Sequence, residues 1–176
     1  MACECRAPLR HSSACARHGG GGGGGVWAVG AGGCWAPGMR DARYVVIDLM
    51  AMFKLNHFDI KLSDDEGWRL EIPGLPELTE IGAKRGFTTD ENDQLIPMYG
   101  SGANGGETGN GFLSQDDFIS LLQYAKAKNI TIIPQLSFPS HARASIVSMD
   151  VRRNRLNALG DDEGAEMYAL SDPNDN

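Results

Sequence analysis

A chain of 176 residues with a formal charge of −7 has room for one domain with a usable core. The charge is uneven: residues 1–43 hold Arg6, Arg10, Arg17, Arg40 and Arg43 against Glu4 and Asp41, so they carry +3 and the remainder carries −10. An acidic main body argues against a nucleic-acid surface, which needs clustered positive charge, and no apolar run approaches the roughly 20 residues of a membrane helix.

The first forty residues differ in composition from the rest. All four cysteines (Cys3, Cys5, Cys15, Cys34) lie here, beside His11, His18 and seven consecutive glycines, Gly19–Gly25. Their spacing matches none of the paired C-x(2–4)-C zinc patterns, so no metal is assigned. Glycine-rich sequence cannot offset its ordering entropy by burial. Residues 1–40 are therefore expected to be a disordered Gly/Cys-rich lead, with residues 41–176 as the folded unit. Val26 to Trp35 dilutes with glycine the apolar stretch that a secretory signal requires, and the compartment stays unassigned.

In "YVVIDLMAMFKLN", Val45, Val46, Leu49, Met50, Met52 and Phe53 form the i, i+3, i+4, i+7 stripe of an amphipathic helix ending near Lys54 and Asn56. "HFDIKLS" then alternates, placing Phe58, Ile60 and Leu62 on one face of a strand. Where that strand stops, Asp64, Asp65 and Glu66 follow one another, with Trp68 and Arg69 behind them. A solvated turn explains such a cluster. So does a sugar site, where carboxylates bind hydroxyls and an aromatic face meets the ring. A calcium site would need more oxygen ligands than one turn supplies.

The stretch from Thr88 to Leu113 is longer than ordinary connections, and such loops are often functional. "LSQDDFISLLQYAKAKN" is a second helix, capped by Ser114, closed by Lys126 and Lys128, and buried through Phe118, Leu121, Leu122 and Ala125. "ITIIP" is a short apolar strand of the kind found in parallel sheets. Asn129-Ile130-Thr131 is a formal glycosylation triplet, but it spans a helix end and a buried strand. The chain turns at Pro139 and enters a third helix near Ala142. The alternation predicts βαβ units and a parallel sheet, with "SDDEGWR" and "PSHAR" at the C-terminal strand ends where α/β sites form.

Taken together, "LSDDEGWRLEIPGLPELTEIGAKRG", "GNGFLSQDDFISLLQYAKAKNITIIP" and "FPSHARASIVSM" resemble the family-20 glycoside hydrolases, the bacterial-type β-N-acetylhexosaminidases or chitobiases, from about Arg43 onward. The resemblance implies a (β/α)8 TIM-type barrel, of which this chain would hold a partial barrel around strands two and three with flanking helices. It also implies removal of terminal N-acetylglucosamine or N-acetylgalactosamine from glycans, with retention of configuration and no cofactor. In that mechanism the substrate's own acetamido oxygen attacks the anomeric carbon. An Asp orients the acetamido group, and the adjacent Glu acts as acid and then base.

In the family that Asp-Glu pair ends barrel strand four, beyond what this chain reaches, and the first-strand arginine that grips the sugar is not found either. Asp65-Glu66 belongs to the second-strand motif instead. The resemblance therefore implies no catalytic residue in this chain. It gives Asp64 and His141 a supporting role beside the acid and places them across neighbouring strand ends. Asp64, Asp65, Trp68 and Arg69 remain candidates for substrate contact. Lys61 stands where the family has His, and Gln135, Ser137 and Ser140 stand where it has Glu, Asp and Gly. These departures leave a second expectation open, a non-catalytic carbohydrate-binding or scaffold remnant. On either expectation the isolated chain does not turn over substrate.

Overall fold

The computed structural model describes residues 26–29, 39–97, 101–103 and 110–168. In chain order these form β1 (Val26–Val29), α1 (Met39–Met52), β2 (His57–Lys61), β3 (Ser63–Asp64), β4 (Gly67–Trp68), α2 (Glu77–Glu80), α3 (Gln115–Ala127), β5 (Thr131–Gln135), α4 (Arg143–Ala158) and α5 (Asp162–Glu166). β2 lies between β1 and β5 in a three-stranded sheet, parallel to both, with His57 opposite Val26 and Thr131. The parallel pairing predicted for the two sequence-read strands is present. The chain is mixed α/β.

Within the expected lead the structure describes one strand, β1. Val26–Val29 follows the glycine run, yet it pairs along its whole length with β2. Sheet pairing overrides what the surrounding composition suggests. The four cysteines lie outside the described residues.

Three helices end in the same way. Lys54, Asn129 and Gly160 each adopt a left-handed φ, of 56°, 57° and 78°. In each case the next amide reaches back five residues: Leu55 N–H to Met50 O, Ile130 N–H to Ala125 O, and Asp161 N–H to Leu156 O. This is the Schellman closure, which satisfies carbonyls that a helix end otherwise strands. Only Gly160 adopts that φ without steric cost; Lys54 and Asn129 have a Cβ, and an asparagine tolerates the region better than most. After α1 and α3 the closure turns the chain directly into β2 and β5, where Thr131 N–H donates to Asn56 O at 2.8 Å.

The core joins Ile47 and Met50 of α1, Phe58, Ile60 and Leu62 of the β2 segment, Leu121 and Ala125 of α3, and Ile130 and Ile132 of the β5 segment. β2 alternates as expected, with Phe58 and Ile60 inward. The α1 stripe holds only in part. Met50 is buried and Val46 packs against the core, but Val45, Leu49, Met52 and Phe53 are exposed and Ile47 turns inward. β5 is buried on one face only, since Ile133 is exposed. Ser114 caps α3 through its hydroxyl, which accepts from Asp117 N–H at 3.2 Å.

α4 closes over the far side through Ala144, Ser148 and Val151, at i, i+4 and i+7. It lies against the loop after α2 at Gly82, where an added Cβ would stand 2.6 Å from both Leu78 O and Ser148 Oγ. Gly82 O also accepts Trp68 N–H at 2.8 Å, so this contact ties the β3–β4 hairpin to α4. Gly82→Ala is expected to cost about 1–3 kcal/mol through overpacking. The check is a urea titration; a loss below about 0.5 kcal/mol, the range of ordinary surface changes, would show that the contact is not tight.

Candidate functional site

The site is built where β2 and β5 end side by side. Leu62 N–H extends their ladder to Gln135 O at 2.9 Å. Beyond it the chain folds back through the β3–β4 hairpin, with Ser63 opposite Trp68 and Asp64 opposite Gly67. Asp65 and Glu66 are the two turn residues. On the neighbouring strand, Ser137 N–H donates to Ser63 Oγ at 3.0 Å, and the chain then reaches His141 and α4.

The hairpin separates the two aspartates. Asp64 Oδ1 accepts Glu66 N–H at 2.8 Å and Gly67 N–H at 3.1 Å, while its Oδ2 lies 3.5 Å from Lys61 Nζ. Asp64 is thus engaged in holding the turn. Asp65 crosses to the next strand end: its Oδ2 meets His141 Nδ1 at 2.8 Å and its Oδ1 accepts Arg143 N–H at 3.2 Å. Asp64 was expected to approach His141 across the strand ends; the carboxylate that does so is Asp65.

His141 has a left-handed φ of 55° and a side chain 73% exposed. With Nδ1 engaged by a carboxylate, the neutral ring presents Nε2 as an acceptor for a further group. The His141 contact, helped by Arg143 N–H and by the charges of His141 and Lys61, holds the Asp65 carboxyl below the ordinary aspartate range against the opposing effect of burial.

Arg69 lies beneath the Asp65–Glu66 turn. Its guanidinium is buried and donates to Gly111 O at 3.0 Å, Ala83 O at 3.3 Å and Glu66 O at 3.4 Å. Burial pulls its pKa down to about 10, with Asp64 opposing that shift. Trp68 is half-buried and donates its indole N–H to Leu70 O at 2.5 Å. Both of these candidates donate to backbone carbonyls. Gly67 is part of the reason, because a Cβ there would stand 2.4 Å from Arg69 Nη2.

Sequence reading passed over Arg85, Arg143 and Glu91. Arg85 is buried, donates to Asp65 O at 3.0 Å and Ile96 O at 2.9 Å, and also binds Glu66 O. Arg143 pairs with Glu91. The available signal was that Arg85 and Arg143 lie inside quoted motifs, "GAKRG" and "PSHAR", without an acidic neighbour to account for them. Among the described residues no group of His, Cys, Asp and Glu could hold a metal ion, and no helix is long and apolar enough to cross a membrane.

A depressed folded-state pKa means that ionised Asp65 stabilises the fold above its unfolded value, and that this contribution is lost as pH falls through the folded value. Wild type is therefore expected to exceed Asp65→Asn in stability above pH 3.8, the ordinary aspartate value. The difference should shrink as pH is lowered below it. Urea midpoints of the two proteins across pH 2–7 check this, and a gap that widens in acid would contradict the contact.

The catalytic-domain model of glycosyl hydrolase family 20 matches residues 41–171. The N,N′-diacetylchitobiase of Vibrio harveyi is 49% identical over 136 residues, which are 77% of this chain and 15% of that protein. A beta-hexosaminidase of Vibrio vulnificus is 47% identical over 129 residues, 73% of this chain and 15% of its own length. Among solved structures, the GH20 exo β-N-acetylglucosaminidase of Vibrio harveyi in complex with N-acetylglucosamine superposes with a TM-score of 0.56 at 41% identity, covering 62% of this chain and 16% of that one. The chain thus spans about 15% of the length of these curated relatives. The motifs at both strand ends lie inside the matched range, and the chain belongs to glycoside hydrolase family 20.

Proposed function

We propose that this chain supplies the acid-supporting segment of a β-N-acetylhexosaminidase, with β2 and β5 as the second and third strands of a (β/α)8 barrel and β1 beside β2 in the same sheet. The reaction is hydrolysis of terminal N-acetylglucosamine or N-acetylgalactosamine from glycans, with the substrate's acetamido group as nucleophile. The observation that carries this reading is the Asp65–His141 contact across the C-terminal ends of adjacent parallel strands, the edge where barrel enzymes build their sites.

In that role Asp65 orients His141, and His141 Nε2 accepts from, or donates to, the carboxyl of the general acid. An imidazole held in one tautomer keeps that carboxyl in place and adjusts its proton affinity. Asp64 shapes the turn and Arg69 braces it; neither touches the sugar. The acid and the acetamido-orienting carboxylate are not among these residues. General acid help alone is worth about 10²–10⁴-fold, and an electrostatic partner for the intermediate is worth about another 10²–10³-fold.

A second reading, a non-catalytic scaffold of the same family, draws support from the Lys61–Asp64 ion pair, because Lys61 occupies a position where the resemblance implies a histidine.

The 176-residue chain alone is expected to show no turnover of an aryl N-acetyl-β-glucosaminide above background. Placed in the Vibrio harveyi relative in exchange for its matching 136 residues, it should support turnover, and Asp65→Asn in that chimera should lower kcat by up to about 10²-fold. A folded chimera without activity, revived by Gln135→Glu with Ser137→Asp, would favour the scaffold reading. Activity in the isolated chain, or an Asp65→Asn chimera with unchanged kcat, would overturn the proposal.

A further inference from the structure

α4 begins without a cap of its own. Ala142 offers no side-chain hydrogen bond, and the first turn holds no acidic residue. A sixteen-residue helix presents unpaired amides and a positive dipole end at that point. The anion comes from elsewhere in the chain, as Asp65 Oδ1 accepts Arg143 N–H at 3.2 Å. That one amide bond holds the helix start at a single point. The Arg143 side chain adds a second tether by pairing with Glu91 Oε2.

Glu91 is itself fixed. Its other oxygen, Oε1, accepts Ile96 N–H at 2.8 Å, its own N–H donates to Thr88 Oγ1 at 3.1 Å, and it holds a left-handed φ of 56°. Ile96 O accepts Arg85 Nη1 at 2.9 Å, and Arg85 Nη2 returns to Asp65 O at 3.0 Å. The path is therefore a closed ring: Asp65 carboxylate, Arg143, Glu91, Ile96, Arg85, Asp65 carbonyl. It grips Asp65 at both its side chain and its backbone, and it recruits residues 91–96 of the long loop.

We propose that Glu91 and Arg143 are positioning residues whose ion pair closes this ring and thereby holds Asp65 in place against His141. The ring rests on the coordinates of the chain alone. Its consequence for catalysis rests on the proposed hexosaminidase role of the Asp65–His141 pair.

The charged groups facing Asp65 are Lys61, Asp64 and Glu66 on its own hairpin segment, Arg85 from the loop after α2, and His141 and Arg143 at the start of α4, with Glu91 behind Arg143. Glu91 is negative, so deleting its charge would, by Coulomb's law alone, make Asp65 easier to ionise. Loss of positioning acts in the opposite direction, because it weakens the His141 and Arg143 N–H bonds that favour the carboxylate. The sign of the change therefore separates the two.

The test is a carbon-detected NMR titration of the Asp65 carboxyl in the 176-residue chain. Glu91→Gln is expected to raise its midpoint toward the ordinary 3.8, whereas Asp116→Asn, the same charge change at an exposed position on α3, should leave it in place. Arg143→Lys approaches the ring from the other side, keeping the charge while removing the guanidinium, and keeps the test open if Glu91→Gln fails to fold. The double variant should shift the midpoint no further than the larger single change, the signature of two residues acting as one unit. An unchanged or lowered midpoint in Glu91→Gln, or fully additive shifts, would overturn the inference whatever the activity. A raised midpoint beside a fully active Asp65→Asn chimera would leave the ring standing and remove the proposed function instead.

Discussion

Two buried guanidiniums hold the turn on which the site depends. Arg69 and Arg85 both lie under the Asp65–Glu66 turn and both donate to Glu66 O, so a single carbonyl gathers two cations. Between them they also bind the carbonyls of Asp65, Ala83, Ile96 and Gly111. Two like charges in a dry interior repel, and desolvation disfavours each of them further. Burial lowers the pKa of both, while Asp64 and Glu66 oppose the effect. The arrangement persists because a guanidinium offers five donors in a rigid plane, and loop carbonyls that no strand or helix satisfies need such donors.

That arrangement determines what the acidic residues above it can do. With the turn held from beneath through its backbone, the Asp65 side chain is free to cross to His141 and the first turn of α4. Asp64, one residue earlier on the strand, points into the turn and closes it. The hairpin is only two residues wide on each side, too short to define a site by its own ladder. Rigidity is imported from the 83–96 segment by Arg85 and from α4 by Asp65 itself. The long connection after α2 is therefore part of the framework of the site, which fits the general association of long ordered loops with function.

Much of the fold was legible because it depends on local rules. Alternation marked β2, Ser114 marked the start of α3, and Lys54 and Asn129 lie where helices were expected to stop. The α1 face was read only in part because its sequence is apolar nearly all round: Val45, Val46, Ile47, Leu49 and Met50 satisfy more than one stripe, and only contact with the core selects Ile47 over Val45 and Leu49. β1 was missed because four residues beside a glycine run carry too little pattern, and their pairing partner β2 lies about thirty residues away in sequence. In the site, resemblance led to His141 and to the acidic run, but it could not choose between adjacent aspartates. That choice depends on which residue begins a two-residue turn, and neither composition nor spacing encodes it. Glu91 and Arg143 are separated by 52 positions, so no local pattern links them.

The departures from the family pattern now acquire a physical meaning. A histidine at position 61 would face the strand end as a neutral or titrating ring, whereas Lys61 places a permanent cation 3.5 Å from Asp64. Asp64 is thereby neutralised in place, and its charge adds less negative potential beside Asp65. Gln135 ends β5, and its carbonyl still accepts Leu62 N–H, so the substitution leaves the backbone ladder intact while removing a carboxylate from the same edge. Ser137 likewise keeps a backbone role through its N–H on Ser63 Oγ. Gln135 and Ser137, standing where the resemblance implies carboxylates, both hold backbone hydrogen bonds at the strand ends. Asp65 remains the carboxylate that bridges the two strand ends, and its bonds to His141 and to the amide of Arg143 carry that connection.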